Sequence, residues 1–237
     1  MFKLTHYRVA RCETPCHLRG LCRDIGSDAL AGHRKGVGMH TRVLTFRGAR
    51  NIDEGIAFVR DQALPVVRAQ VGYRGLTVSA DRAGGILGIL SVWDNEADRD
   101  ASFGPLTNLR EQGVNVVGGD LTVENFEQVV EETASPPTVG SALMVTRISM
   151  DPSKIDENVG FFKSNILPRI TASPGFLALR HMIDRKTGRG AVGSVWADQE
   201  AMKKAAAEAQ ARRHEGVARG VSFDEDSYRE IVFGDMR

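Results

Sequence analysis

The sequence predicts an α+β protein made of two copies of one β-α-β-β-α-β unit, packed sheet to sheet within a single chain. Three observations predict it. The chain repeats itself at a spacing of 103: Ile52 to Trp93 aligns with Ile155 to Trp196 without a gap, and 15 of the 42 pairs are identical. Within each copy the apolar periodicity changes between about 2 and about 3.6 in the same order. Strand residues such as Leu44, Phe46, Ile86, Leu90, Leu177 and Leu179 leave neither sheet face fully polar. A unit of this order covers one sheet face with its helices, and an apolar second face must be buried. The other copy, held close by the shared chain, is its expected cover.

Composition excludes several classes. The 237 residues carry a net charge of +1, with 42% hydrophobic and 26% charged residues, which offers no overall attraction for nucleic acid or acidic lipid. No apolar run reaches the ~20 residues of a membrane span. The N-terminus lacks the apolar core of a secretory signal. The expected setting is the cytoplasm, with neither nucleic acid nor membrane as partner. The repeat spacing is too long for a solenoid, whose units run about 20–50 residues. Two domains are expected, over 41–131 and 142–234, joined by a linker over 132–141 that Pro136 and Pro137 stiffen. Residues 1–38 read as a basic, disordered leader holding Cys12, Cys16 and Cys22. That spacing misses the usual zinc and iron–sulfur patterns, so no metal is expected.

In the first copy, Arg42 to Arg47 reads as a strand. Asn51 caps a helix, with Glu54 as its capping-box partner. Ile56, Val59, Ala63, Val66 and Val67 give that helix one apolar face. Pro65 removes the bond to the Asp61 carbonyl and predicts a kink or break near Leu64. Tyr73 to Ala80 and Ile86 to Trp93 form a hairpin through the Asp81–Gly85 turn. Asp94 caps a second helix toward Glu111, disturbed at Gly104-Pro105. Asn125 to Glu131 is the last strand.

The second copy repeats the order. Leu143 to Ser149 is a strand, and Ser153 with Asp156 opens a helix whose apolar stripe is Val159, Phe162, Ile166 and Ile170. Phe176 to Ile183 and Ala191 to Trp196 are strands. Asp198 caps a helix reaching Arg213, with Gly216 beyond its end, and Tyr228 to Phe233 closes the copy. Phe126 aligns with Tyr228 at a spacing of 102, one less than in the rest of the repeat.

The shared Leu-Pro, Gly-Tyr or Gly-Phe, Asp-Arg and Ser-Val-Trp, ahead of an acidic helix start, resemble the antibiotic biosynthesis monooxygenase (ABM) domain family of the dimeric α/β-barrel superfamily. The resemblance covers both copies. It implies ferredoxin-like domains whose sheets pack as a dimeric α/β barrel, here within one chain. For function it implies a monooxygenase that needs no cofactor and oxidises a small phenol or quinone-like aromatic. The alternative is a non-catalytic module for a small apolar ligand, haem or a protein partner, and the fused pair could form a homodimer. The haem-degrading branch uses an Asn on the first strand, the Trp ending the third, and a His about ten residues into the second helix. Trp93 and Trp196 match, but Phe103 and Ala206 stand at the His position, and neither first strand offers an Asn. The expected cofactor is therefore none, although His181 or His214 could meet haem in another geometry.

His181 is the candidate catalytic residue. It stands mid-strand where the first copy has Val78, and a histidine titrating near neutrality can take a proton from a phenol. Alternation sends its neighbour Arg180 to the opposite sheet face. Trp93 and Trp196 are candidate substrate-binding residues through their indole N–H, with core packing as the competing role. Tyr73 and Tyr228 are candidate donors to a bound carbonyl, although each aligns with a Phe in the other copy.

Overall fold

The computed structural model describes residues 38–236. The three cysteines and the leader, apart from Gly38, lie outside them. The first half runs β1 His40–Arg47, α1 Ile52–Phe58, α2 Leu64–Arg68, β2 Tyr73–Asp81, β3 Ile86–Trp93, α3 Glu96–Ala101, α4 Thr107–Val117 and β4 Asp120–Thr133. The second runs β5 Ala142–Ser149, α5 Ile155–Phe161, α6 Leu167–Thr171, β6 Phe176–Ile183, β7 Arg189–Trp196, α7 Gln199–Val217 and β8 Ser222–Met236. The strands close into one antiparallel barrel in the order β1-β3-β2-β8-β5-β7-β6-β4.

The sheets therefore face each other across an interior and are also joined along their edges. The last strand of each half makes the joint. β4 pairs with β1 from Asp120 to Glu127 and continues onto β6 from Glu127 to Thr133. β8 pairs with β5 up to Glu230 and then with β2. This is why these strands have 14 and 15 residues while β1 and β5 have 8, and why β4 runs into the expected linker. Every strand gains two neighbours, and the barrel keeps no open edge.

The helices lie outside. One apolar cluster joins α1, α2 and α4 to the outer face of the first four strands, through residues such as Phe58, Leu64, Val117 and Trp93. A second joins α5 and α7 to the outer face of the others, through Ile155, Met202 and Trp196. Val43, Phe126, Met182 and Ala191 form a third cluster in the lumen.

Local chemistry explains most boundaries. Asn95, rather than Asp94, caps α3 by accepting from the Asp98 N–H at 2.9 Å. Asp198 caps α7 through the Ala201 N–H at 2.8 Å. Asn51 forms no capping box and donates instead to the Val116 carbonyl at 3.0 Å. The prolines do not break their helices. A single π-helical turn, Val59–Ala63 or Phe162–Ile166, stands just ahead of Pro65 and Pro168 and absorbs the missing N–H. Gly104-Pro105 does break its helix, separating α3 from α4, while α7 runs unbroken past Gly216.

The register of the last strands differs from the sequence alignment. Asn125 stands opposite Arg42, and Tyr228 opposite the equivalent Met144, so Phe126 corresponds to Arg229. A register shift between Arg147 and Ile148 leaves Asp224 without a partner on β5 and restores the spacing of 103.

In the β6–β7 turn Gly188 has φ +70°, and a Cβ there would overlap the Met150 carbonyl oxygen. Gly188→Ala is expected to cost about 2 kcal/mol or more, read from urea unfolding. An unchanged midpoint would contradict the turn geometry.

Candidate functional site

Each half carries a cavity between its sheet and its helices. The first has a volume of about 70 Å³ and the second about 130 Å³. An apolar cavity near 150 Å³ accommodates a benzene ring, so only the second is sized for one ring.

The difference arises from a few substitutions. In the first half Arg42 lines the cavity and is 2% exposed. It donates to Asn125 Oδ1 at 3.0 Å, Ser102 Oγ at 2.9 Å and the Arg99 carbonyl at 2.7 Å. Burial, followed by Arg110 and Arg99, pushes this guanidinium down to about 10. The equivalent residue is Met144, which also stands beside a Ser-Val-Trp serine but brings no charge.

His181 supplies polarity at another point. It faces Val192 on β7 and Val130 on β4, and is 3% exposed. Both ring nitrogens are buried without a partner among the described residues. Phe162 packs against the ring edge-on at 4.8 Å. Burial above all, and then the Lys163 cation, pushes the imidazole down to about 4. At neutral pH it is uncharged and presents one donor and one acceptor. Buried polar groups in proteins are nearly always bonded, so a cavity-lining ring with both nitrogens unmet among the described residues is unusual.

The other sequence candidates divide. Trp196 lines this cavity and Trp93 the smaller one, but neither indole N–H faces outward. Each donates at 3.0 Å to the serine two residues earlier, Ser91 or Ser194, on the same strand face. The repeated Ser-Val-Trp is thus a self-satisfied core device, and the Trp residues offer a ligand an apolar ring only. Tyr73 donates to Asp235 at 2.8 Å and packs edge-on to Trp93 at 5.9 Å. Tyr228 is 44% exposed and lines neither cavity. His214 is exposed on α7 beside the Ala211 carbonyl. Arg180 lies on the opposite sheet face, as alternation requires. The structure adds Met144, Ser194 and Arg212 to the wall. Only Ser194 had a sequence signal, in the shared motif. No group of His, Cys, Asp or Glu among the described residues could hold a metal.

No family profile matches the chain. It is 27% identical to the uncharacterized protein Rv2557 of Mycobacterium tuberculosis over 153 residues, 65% of this chain and 68% of that one. It is 25% identical to Rv2558 of the same organism over 178 residues, 74% and 75% of the two chains. Among solved structures, a "Putative monooxygenase" of Fusobacterium nucleatum superposes with TM-score 0.63 at 12% identity, over 85% of this chain and 95% of that one. An anthrone oxidase-like protein superposes with TM-score 0.62 at 14% identity over the same shares. A ferredoxin fold protein of Listeria monocytogenes described as related to antibiotic biosynthesis monooxygenases superposes with TM-score 0.50 at 9% identity, over 83% of this chain and 97% of that one, and these structural likenesses show the fold.

The His181 shift predicts a pH-dependent stability. The native imidazole, at about 4, lies below the ordinary 6.5. The unfolded chain therefore takes the proton first, and stability falls as pH drops from 6.5 toward 4. The loss is expected to be about 3 kcal/mol between pH 7 and pH 4. Urea unfolding of His181→Val should lack this component, and an equal slope in both proteins would contradict the burial.

Proposed function

We propose that the chain is a cofactor-independent monooxygenase of the ABM type acting on a small phenol or quinone-like aromatic, with its site in the second half. The observation that carries this is the unpartnered His181 imidazole facing a ring-sized, mostly apolar cavity. The substrate ring lies against Phe162 and Trp196, and its hydroxyl meets His181. The neutral imidazole accepts the hydroxyl proton, and the phenolate gives its electrons to dioxygen. One oxygen atom enters the ring at a carbon bearing hydrogen. The other leaves as water with the two displaced protons, and a quinone remains. An ordinary phenol titrates near pH 10, so its proton transfer to His181 is uphill by about 8 kcal/mol. Phenols acidified by a conjugated carbonyl are therefore the expected substrates.

The apolar walls also support a second reading, a non-catalytic module for a small apolar ligand. Haem is the weaker choice for it: a ring-sized cavity is small for a porphyrin, and Phe103 and Ala206 stand where the haem-degrading branch has histidine. The repeat and the matching element order support two tandem ferredoxin-like domains, over 41–131 and 142–234. Homodimerisation of the pair and a cytoplasmic setting are part of the same proposal.

Oxygen consumption with anthrones and other phenols bearing a conjugated carbonyl tests the reading. Activity should fall at least a hundredfold in His181→Ala, and kcat/KM should stay flat from pH 7 down to about 5 because the base is already free. Unchanged activity in the variant would remove His181 from the mechanism. Tight binding without oxygen uptake would favour the second reading.

A further inference from the structure

The barrel lumen is a separate cavity of about 320 Å³ on the other side of the sheet from His181. Leu90, Val145, Met182 and Ala191 give it apolar walls, and Pro136 and Pro137 border it where the chain passes between the halves. Three arginines of the second half line it: Arg147, Arg180 and Arg229. By strand register the first half has Thr45, Thr77 and Phe126 at these places.

Two of the three are answered by carboxylates. Arg180 bonds Gln128 Oε1 at 2.6 Å and pairs with Glu131 at 2.7 Å. Arg147 pairs with Glu124 at 2.6 Å through Nη2, but its Nη1 is buried with no partner among the described residues. Arg229 is 5% exposed and donates only its Nε, to Ser227 Oγ at 2.9 Å. It forms no ion pair among the described residues. Burial, followed by the charges of Arg147 and Arg47, pushes it down to about 10. Gly88 makes room for it, since a Cβ there would overlap Arg229 Nη1.

Glu225 and Asp81 offset part of the Arg229 charge, but neither pairs with it, so among the described residues its guanidinium is left in a largely buried space with both terminal nitrogens unbonded. Such a charge is costly unless paired. A carboxylate matches the planar fork of a guanidinium in two parallel bonds, and the apolar walls suit a hydrocarbon body. The geometry points to a second ligand site in the lumen for a small monocarboxylate with an apolar body, its head group on Arg229 and Arg147. This site is independent of the oxygenase reading, because it lies on the opposite sheet face and uses none of the same side chains.

Calorimetric titration of the full chain with sodium octanoate tests it, with octan-1-ol and sodium phosphate as controls. Octanoate should bind at least tenfold more tightly than either control. Arg229→Met should abolish that preference, and His181→Ala should leave it intact. Should Arg229→Met fail to fold, Arg229→Lys keeps the charge without the fork and should weaken octanoate binding about fivefold or more. Octan-1-ol matching octanoate, affinity that survives loss of the fork, or binding lost in His181→Ala would each overturn the lumen site.

Discussion

The structure depends on closure of the sheet. Because β4 and β8 each pair with a strand of both halves, every strand is held on two sides, and alternation along it assigns each residue to the lumen or to the helices. Neighbouring residues on one strand can then serve unrelated purposes. His181 faces the helices of the second half, while its neighbours Arg180 and Met182 line the lumen.

This constraint also explains how two similar halves acquired different interiors. Leu64, Pro65, Ser91 and Trp93 have the same counterparts in the second half and do the same work in each: a helix that absorbs its proline with one π turn, and an indole that finds its own serine. Differences at a few outward-facing positions decide what remains. Arg42 fills the first cavity and bonds itself there. Met144 and His181 leave the second larger, with a polar ring facing inward. At inward-facing positions the same kind of divergence replaces Phe126 with Arg229.

Much of the fold was legible because it rests on local signals. The repeat, the two periodicities and the cap at Asp198 all report nearest-neighbour physics. The edge joints were not legible, because they pair residues far apart in the chain. Nor was Arg229: sliding the last strand by one residue sets Phe126 against the aromatic Tyr228, whereas the bulge at Asp224 keeps the spacing of 103 and puts Arg229 in its place. His181 stood out as a histidine opposite a valine. Its displacement below the usual histidine range depends on packing by Phe162 and neighbouring strands, which sequence does not show. Tyr228 looked like a donor for the opposite reason, since nothing local distinguishes an exposed strand tyrosine from a buried one.

His181 carries the proposed site: an imidazole neutral at pH 7, with neither ring nitrogen bonded among the described residues. Nitrogen NMR of the ring, followed through a pH titration with and without hydroquinone, tests it most directly. The expected midpoint is near 4, against 6.5 for an ordinary histidine, with a shift of one ring nitrogen when hydroquinone is added. A midpoint near 6.5, or resonances indifferent to hydroquinone, would contradict it.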